Sequence, residues 1–130
     1  MADISTSLKN PPGIPFKGVK TLSASETLTK EDLGKLIVFD STTTIVATLP
    51  KSRKGATLHF QVRQLTTSGG HTITPATSET IYFKGGSTAS NTTSAQCSAV
   101  TDAIGDGMTI VGDGNAGWHA VTVLGTWARV

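Results

Sequence analysis

Charge is scarce in this chain. Lys and Arg number 11 and Asp and Glu 9 in 130 residues, 15% of the total, where an ordinary globular domain carries about 25%. The formal net charge of +2 is too small and too scattered for a nucleic-acid partner, which calls for a basic stripe with aromatic residues set among it. The nearest basic cluster, Lys51, Arg53 and Lys54, follows Pro50 and reads as a solvated turn. Cysteine is limited to Cys97, which excludes an internal disulfide and a cysteine-based zinc site. Among Ser94, Ala95 and Ser98 it reads as a small strand residue, not a nucleophile. No apolar run approaches the roughly 18 residues that span a bilayer. The N-terminus lacks the positive start, apolar stretch and cleavage site of a secretory signal, so a protein made in the cytoplasm, with no membrane partner, is expected.

Chemistry-bearing clusters are missing as well. His59, His71 and His119 fall on three separate expected strands, with no carboxylate at i+2 or i+4 to complete a metal site. Asp102, Asp106 and Asp113 lie among glycines, but the calcium loop of about 12 residues needs alternating oxygen ligands and a closing Glu. Glu26, Glu31, Asp32 and Asp40 gather near a turn, where carboxylates ordinarily face solvent. Asn91-Thr92-Thr93 is a formal glycosylation acceptor in a Thr-rich run, without the secretory signal that would give it meaning. No cofactor and no catalytic residue is indicated, and an enzyme is not expected.

What the chain does have is a change of texture. Residues 1–18 form an arm punctuated by Pro11, Pro12 and Pro15, which forbid a helix and bias their predecessors toward extended geometry. Its apolar residues Ile4, Leu8, Ile14 and Phe16 keep neither a helical nor a strand period. Such a terminus is either a solvated tail or a docking arm. Ile14-Pro15-Phe16 is more apolar than a tail requires, which favours docking.

Residues 19–130 read as one all-β domain of seven to nine short strands with turns every ten residues or so. Val19 to Ser23 is a strand, followed by a single helical turn capped by Thr29 with Asp32 in a box-like position and ended by Gly34. Lys35 to Asp40 is a buried strand. In the next, Ile45, Ala47 and Leu49 share a face until Pro50 stops it. Thr57 to Leu65 alternates most cleanly, with Leu58, Phe60 and Val62 inward and His59, Gln61 and Arg63 outward. Short strands around Ile73 and at Thr80 to Lys84 follow. Gln96 to Ile104 is ambiguous. Met108 to Val111 and Trp118 to Leu124 form a hairpin around Gly112-Asp113-Gly114-Asn115. The pattern points to an antiparallel β-sandwich or a small β-barrel with an extended N-terminal arm. Trp118 and Trp127, two indoles in a chain of few aromatics, belong in the core or at a subunit interface. As a sugar platform they would have to be exposed and coplanar. A domain of this size buries only a little over ~60% of its unfolded surface, so self-association is a reasonable added source of stability.

The order Leu28-Thr29, Asp32, Gly34-Lys35, a strand ending Leu49-Pro50, Gly55, Leu58 to Val62, Ile73, Ile81, Trp118 and Gly125-Thr126-Trp127 resembles the capsid decoration, or cement, proteins of tailed bacteriophages and related phage β-modules, over about residues 19–128. The resemblance implies a structural protein on the outer surface of the virion. It would bind the major capsid protein and itself, commonly as a homotrimer, and brace neighbouring capsomers. It implies an arm laid across the shell, here Ile4, Leu8, Pro11, Pro12, Ile14, Pro15 and Phe16, with Trp118 and Trp127 as candidate subunit-interface residues. A phage fibre or tail module that binds host carbohydrate through Trp118 and Tyr82 is the alternative, and a hydrolase of surface polymer a weaker third reading.

Overall fold

In the computed structural model, which describes residues 16–83, 87–90, 95–98 and 103–129, the alternating segments become strands. In chain order they are β1 (Val19–Leu22), β2 (Glu26–Thr27), β3 (Leu36–Asp40), β4 (Val46–Thr48), β5 (Thr57–Gln64), β6 (Gly70–Thr74), β7 (Thr80–Phe83), β8 (Ser87–Ser90), β9 (Ala95–Ser98), β10 (Gly107–Gly112), β11 (Gly117–Leu124) and β12 (Trp127–Arg129). The described residues hold a single 3-10 turn, Lys30–Asp32, and no helix long and apolar enough to cross a membrane. At that turn the Asp32 carboxylate accepts the Thr29 amide at 2.9 Å, the reach-back bond that the box-like spacing implied.

The strands form a seven-stranded sheet in the order β1-β3-β5-β10-β11-β7-β8 and a five-stranded sheet in the order β12-β9-β6-β4-β2. Neither order closes into a barrel among the described residues. The expectation of antiparallel sheets is overturned, because both sheets are mixed. β1–β3, β3–β5, β7–β11, β2–β4 and β4–β6 are parallel. The pairs β5–β10, β10–β11, β7–β8, β6–β9 and β9–β12 are antiparallel. The cause lies in the connections. The first six strands alternate between the sheets, so each return to a sheet runs in the direction of the strand left behind, and Val19, Leu36 and His59 fall in one register row. Parallel neighbours need a crossover, and here the strand in the opposite sheet supplies it. The β10–β11 hairpin inserts between β5 and β7, with a bulge at Thr109/Ile110.

One core serves both sheets. β5 alternates as expected, with Leu58, Phe60 and Val62 buried, His59 half-buried and Gln61 and Arg63 exposed. Their inward side chains join Leu22, Ile37, Phe39, Ile45, Ala47, Leu49, Ile73, Ile81, Met108, Ile110 and Trp118 in a single cluster. Fully buried His71 ties the two sheets together. Its ring lies parallel to Phe39 at 4.9 Å, its Nδ1 accepts the Ile45 amide at 3.1 Å, and its Nε2 donates to the Gln64 carbonyl at 2.9 Å. These two bonds require the neutral tautomer with its proton on Nε2. Asp32, also buried, receives the ammonium groups of Lys20 at 3.3 Å and Lys35 at 3.5 Å. Burial alone would raise its carboxyl pKa, but the Thr29 amide and these two lysines outweigh that cost and hold it below the usual carboxylate range.

Candidate functional site

Three places bear on function: residues 16–18 at the start of the domain, the two tryptophans, and a cleft beside the β10–β11 hairpin. Of the expected arm contacts, Ile4, Leu8, Pro11, Pro12, Ile14 and Pro15 lie outside the described residues. Phe16 lies within them, half-buried, with its ring edge-on to His59 at 4.5 Å. The Lys17 amide donates to the Gly34 carbonyl at 2.7 Å, and the Gly18 carbonyl accepts the Leu36 amide at 2.8 Å. These bonds fix residues 16–18 on their own domain, next to β1, the edge strand of the larger sheet. Phe16, expected among the capsid contacts, is therefore packed against its own domain. His59 also contacts the Thr109 hydroxyl at 3.0 Å, and burial lowers its pKa, favouring the neutral ring.

Trp118 is 0% exposed and Trp127 7% exposed, both within the core of one chain. The Trp127 indole donates to the Leu124 carbonyl at 3.1 Å, whereas the buried Trp118 indole nitrogen has no hydrogen-bond partner among the described residues. Of the two places expected for these indoles, the structure gives the core. Trp118 has no face to offer a second subunit or a sugar ring. Tyr82 does remain at the surface, 46% exposed.

The cleft has a volume of about 570 Å³ and is lined by three turns: Lys51 and Ser52, Thr77 to Glu79, and Gly114 to Ala116. Ser52 joins them. Its amide donates to both carboxylate oxygens of Glu79, at 2.9 and 3.1 Å. Its hydroxyl donates to the Gly117 carbonyl at 2.6 Å and accepts the Gly114 amide at 3.1 Å. Asp113 organises the hairpin turn, with its Oδ1 accepting the amides of Asn115 at 2.7 Å and Gly117 at 3.0 Å. Its Oδ2 lies 2.8 Å from His119 Nε2. A Cβ at position 117 would sit 2.4 Å from Asp113 Oδ2, so a side chain there would displace the Asp113 carboxylate from these bonds. The His119 contact, followed by the two amides, holds the Asp113 carboxyl below its ordinary range. The His119 ring in turn stacks on Tyr82 at 5.0 Å, placed there by the parallel pairing of β7 with β11.

The residues that line the cleft carry a carboxylate, an ammonium, an amide and hydroxyls. The Ser52 hydroxyl is committed to backbone groups, and among the described residues no base bonds to it. Among the described residues no group of three or more His, Cys, Asp or Glu could hold a metal. Sequence reasoning looked for partners of His119 at i+2 and i+4 and so missed Asp113 at i−6. The hairpin turn itself was the available signal, since it folds residue 113 back toward the start of β11. Nothing in the sequence marks Glu79 or Ser52, whose meeting depends on the packing of separate turns. No protein-family model matches this chain, and no curated protein matches it either.

Proposed function

We propose that this chain is a structural protein that decorates and stabilises the outside of a tailed-phage capsid, as a homotrimer that binds the major capsid protein partly through residues 1–18. In this reading it is made in the host cytoplasm, resides on the outer capsid surface, and its two sheets are the layers of a β-sandwich. The observation that carries the reading is the root of the arm. The chain enters the domain beside the edge strand of the larger sheet, and Phe16, Lys17 and Gly18 are held there by His59, Gly34 and Leu36. An arm anchored at its base transmits load to the domain. An extended peptide beyond the anchor can add a strand to a neighbouring sheet edge, with main-chain hydrogen bonds giving affinity and side chains such as Ile4, Leu8 and Ile14 filling pockets. Many copies, each contributing a few kcal/mol, would oppose the pressure of packaged DNA.

Deletion of residues 1–15 tests the reading and leaves the Phe16 anchor in place. The truncated protein should unfold with the same midpoint as the full chain and fail to co-sediment with capsids. Undiminished co-sedimentation would overturn the role of the arm.

A further inference from the structure

We propose that the cleft between Ser52, Glu79 and Asn115 is a binding site for an uncharged saccharide, a function separate from the attachment of the chain to a capsid. The first reason is the state of Glu79. It is only 5% exposed yet lines the cleft, and the Ser52 amide is the one bonded partner of its carboxylate among the described residues. No cation pairs with it among the described residues. A buried carboxylate is costly unless donors satisfy it, and two oxygens sharing one amide leave room for further donors from a ligand in the cleft that Glu79 lines.

The second reason is the balance of charge. Lys51 lines the same cleft and has no ion-pair partner among the described residues. A cationic ligand would meet Lys51 and an anionic one Glu79. A neutral polyol satisfies both, because its hydroxyls donate to the carboxylate and accept from the ammonium and from the Asn115 side-chain amide. The third reason is Tyr82, outside the lining but three residues along the chain from Glu79, an exposed ring held by His119, which is itself held by Asp113, the neighbour of lining residue Gly114. A fixed, exposed aromatic ring suits the C–H face of a sugar. The size fits too, since ligand clefts run to about 300–1,000 Å³. Finally, Ser78 and Ala116, with φ of 66° and 61°, are the only non-glycine residues in the left-handed region among those described, and both line this cleft. Such strain gathers where structure serves binding.

The test is an amide-shift titration of the full-length ¹⁵N-labelled protein with methyl α-D-glucopyranoside, methyl α-D-mannopyranoside, L-rhamnose and N-acetylglucosamine. At least one sugar should give saturable shifts at Ser52, Ser78, Glu79 and Asn115. Tyr82→Ala should weaken that binding roughly three- to tenfold, and Asn115→Ala should weaken it as well. Both positions are exposed, so the variants should fold even if Glu79→Gln does not. The proposal is overturned if no sugar gives saturable shifts at these amides, if the shifts survive Tyr82→Ala and Asn115→Ala unchanged, or if ammonium or calcium chloride produces them and the sugars do not. Deletion of residues 1–15 should leave the titration unaltered, which separates this site from the arm.

Discussion

Replacing His71 measures how the two sheets are held together. The ring fills core volume against Phe39, and it also satisfies the amide of Ile45, a residue that is itself wholly buried. His71→Phe keeps the ring volume and the stack but removes the acceptor. A buried donor left unpaired costs about 1–3 kcal/mol. The Gln64 carbonyl, in a part-buried bond with the ring, loses its donor as well. The expected loss for His71→Phe is therefore about 1–3 kcal/mol or more. His71→Ala adds a cavity, and large-to-small core truncations cost about 2–5 kcal/mol. Against a total stability of ~5–15 kcal/mol, the alanine variant should be close to unfolding and the phenylalanine variant clearly weakened. Equilibrium urea unfolding with unchanged slope reads both losses. If His71→Phe is as stable as the parent, the ring acts only as filler and the bridging role assigned to its nitrogens is wrong.

Other consequences are equally specific. Gly107→Ala places a Cβ 2.2 Å from the Phe60 carbonyl oxygen on the neighbouring strand, where the backbone cannot yield, and should cost about 1–3 kcal/mol or more; Gly18→Ala, whose nearest contact would be 3.9 Å away, should stay within about 0.5 kcal/mol of the parent. Because the Asp32 carboxyl is lowered in the folded state, its contribution is complete above the unfolded value of about 3.9 and is lost as pH falls through the folded one. Asp32→Asn should therefore be less stable at neutral pH and lose less stability on acidification, and parallel acid-unfolding slopes for the two proteins would contradict this. His59 is lowered by burial, so the folded state resists its protonation, and stability should decline as pH drops below about 6.5. Phe16→Ala uncovers the ring and should move the NMR titration of His59 back toward the ordinary value; an unmoved titration would detach Phe16 from the domain.

How legible this was depended on whether the signal was local. The alternation of Leu58, Phe60 and Val62, the Thr29–Asp32 turn and the hairpin closed by Gly112 to Asn115 all express short-range geometry, and each appears in the structure. Strand direction was not legible. A period of two reads the same in parallel and antiparallel pairs, and the short connections that suggest hairpins here carry the chain into the opposite sheet. Trp118 shows the same limit, since its strand was recognisable while its complete burial depends on strands distant in sequence. The cleft was the least legible feature, because Ser52, Glu79 and Gly117 are joined by contacts across 27 and 65 residues of chain. His71, whose polar ring meets Ile45 and Phe39 inside the core, gives no hint of burial in its own neighbourhood.

The most direct test of the proposed decoration role is the copy number of this chain in purified phage particles, measured by quantitative mass spectrometry against the major capsid protein. The account predicts near parity with the shell subunit or a simple fraction of it, several hundred copies per particle. A few copies to a few dozen would assign the chain to a tail or fibre, and its absence from the particle would contradict the structural role altogether.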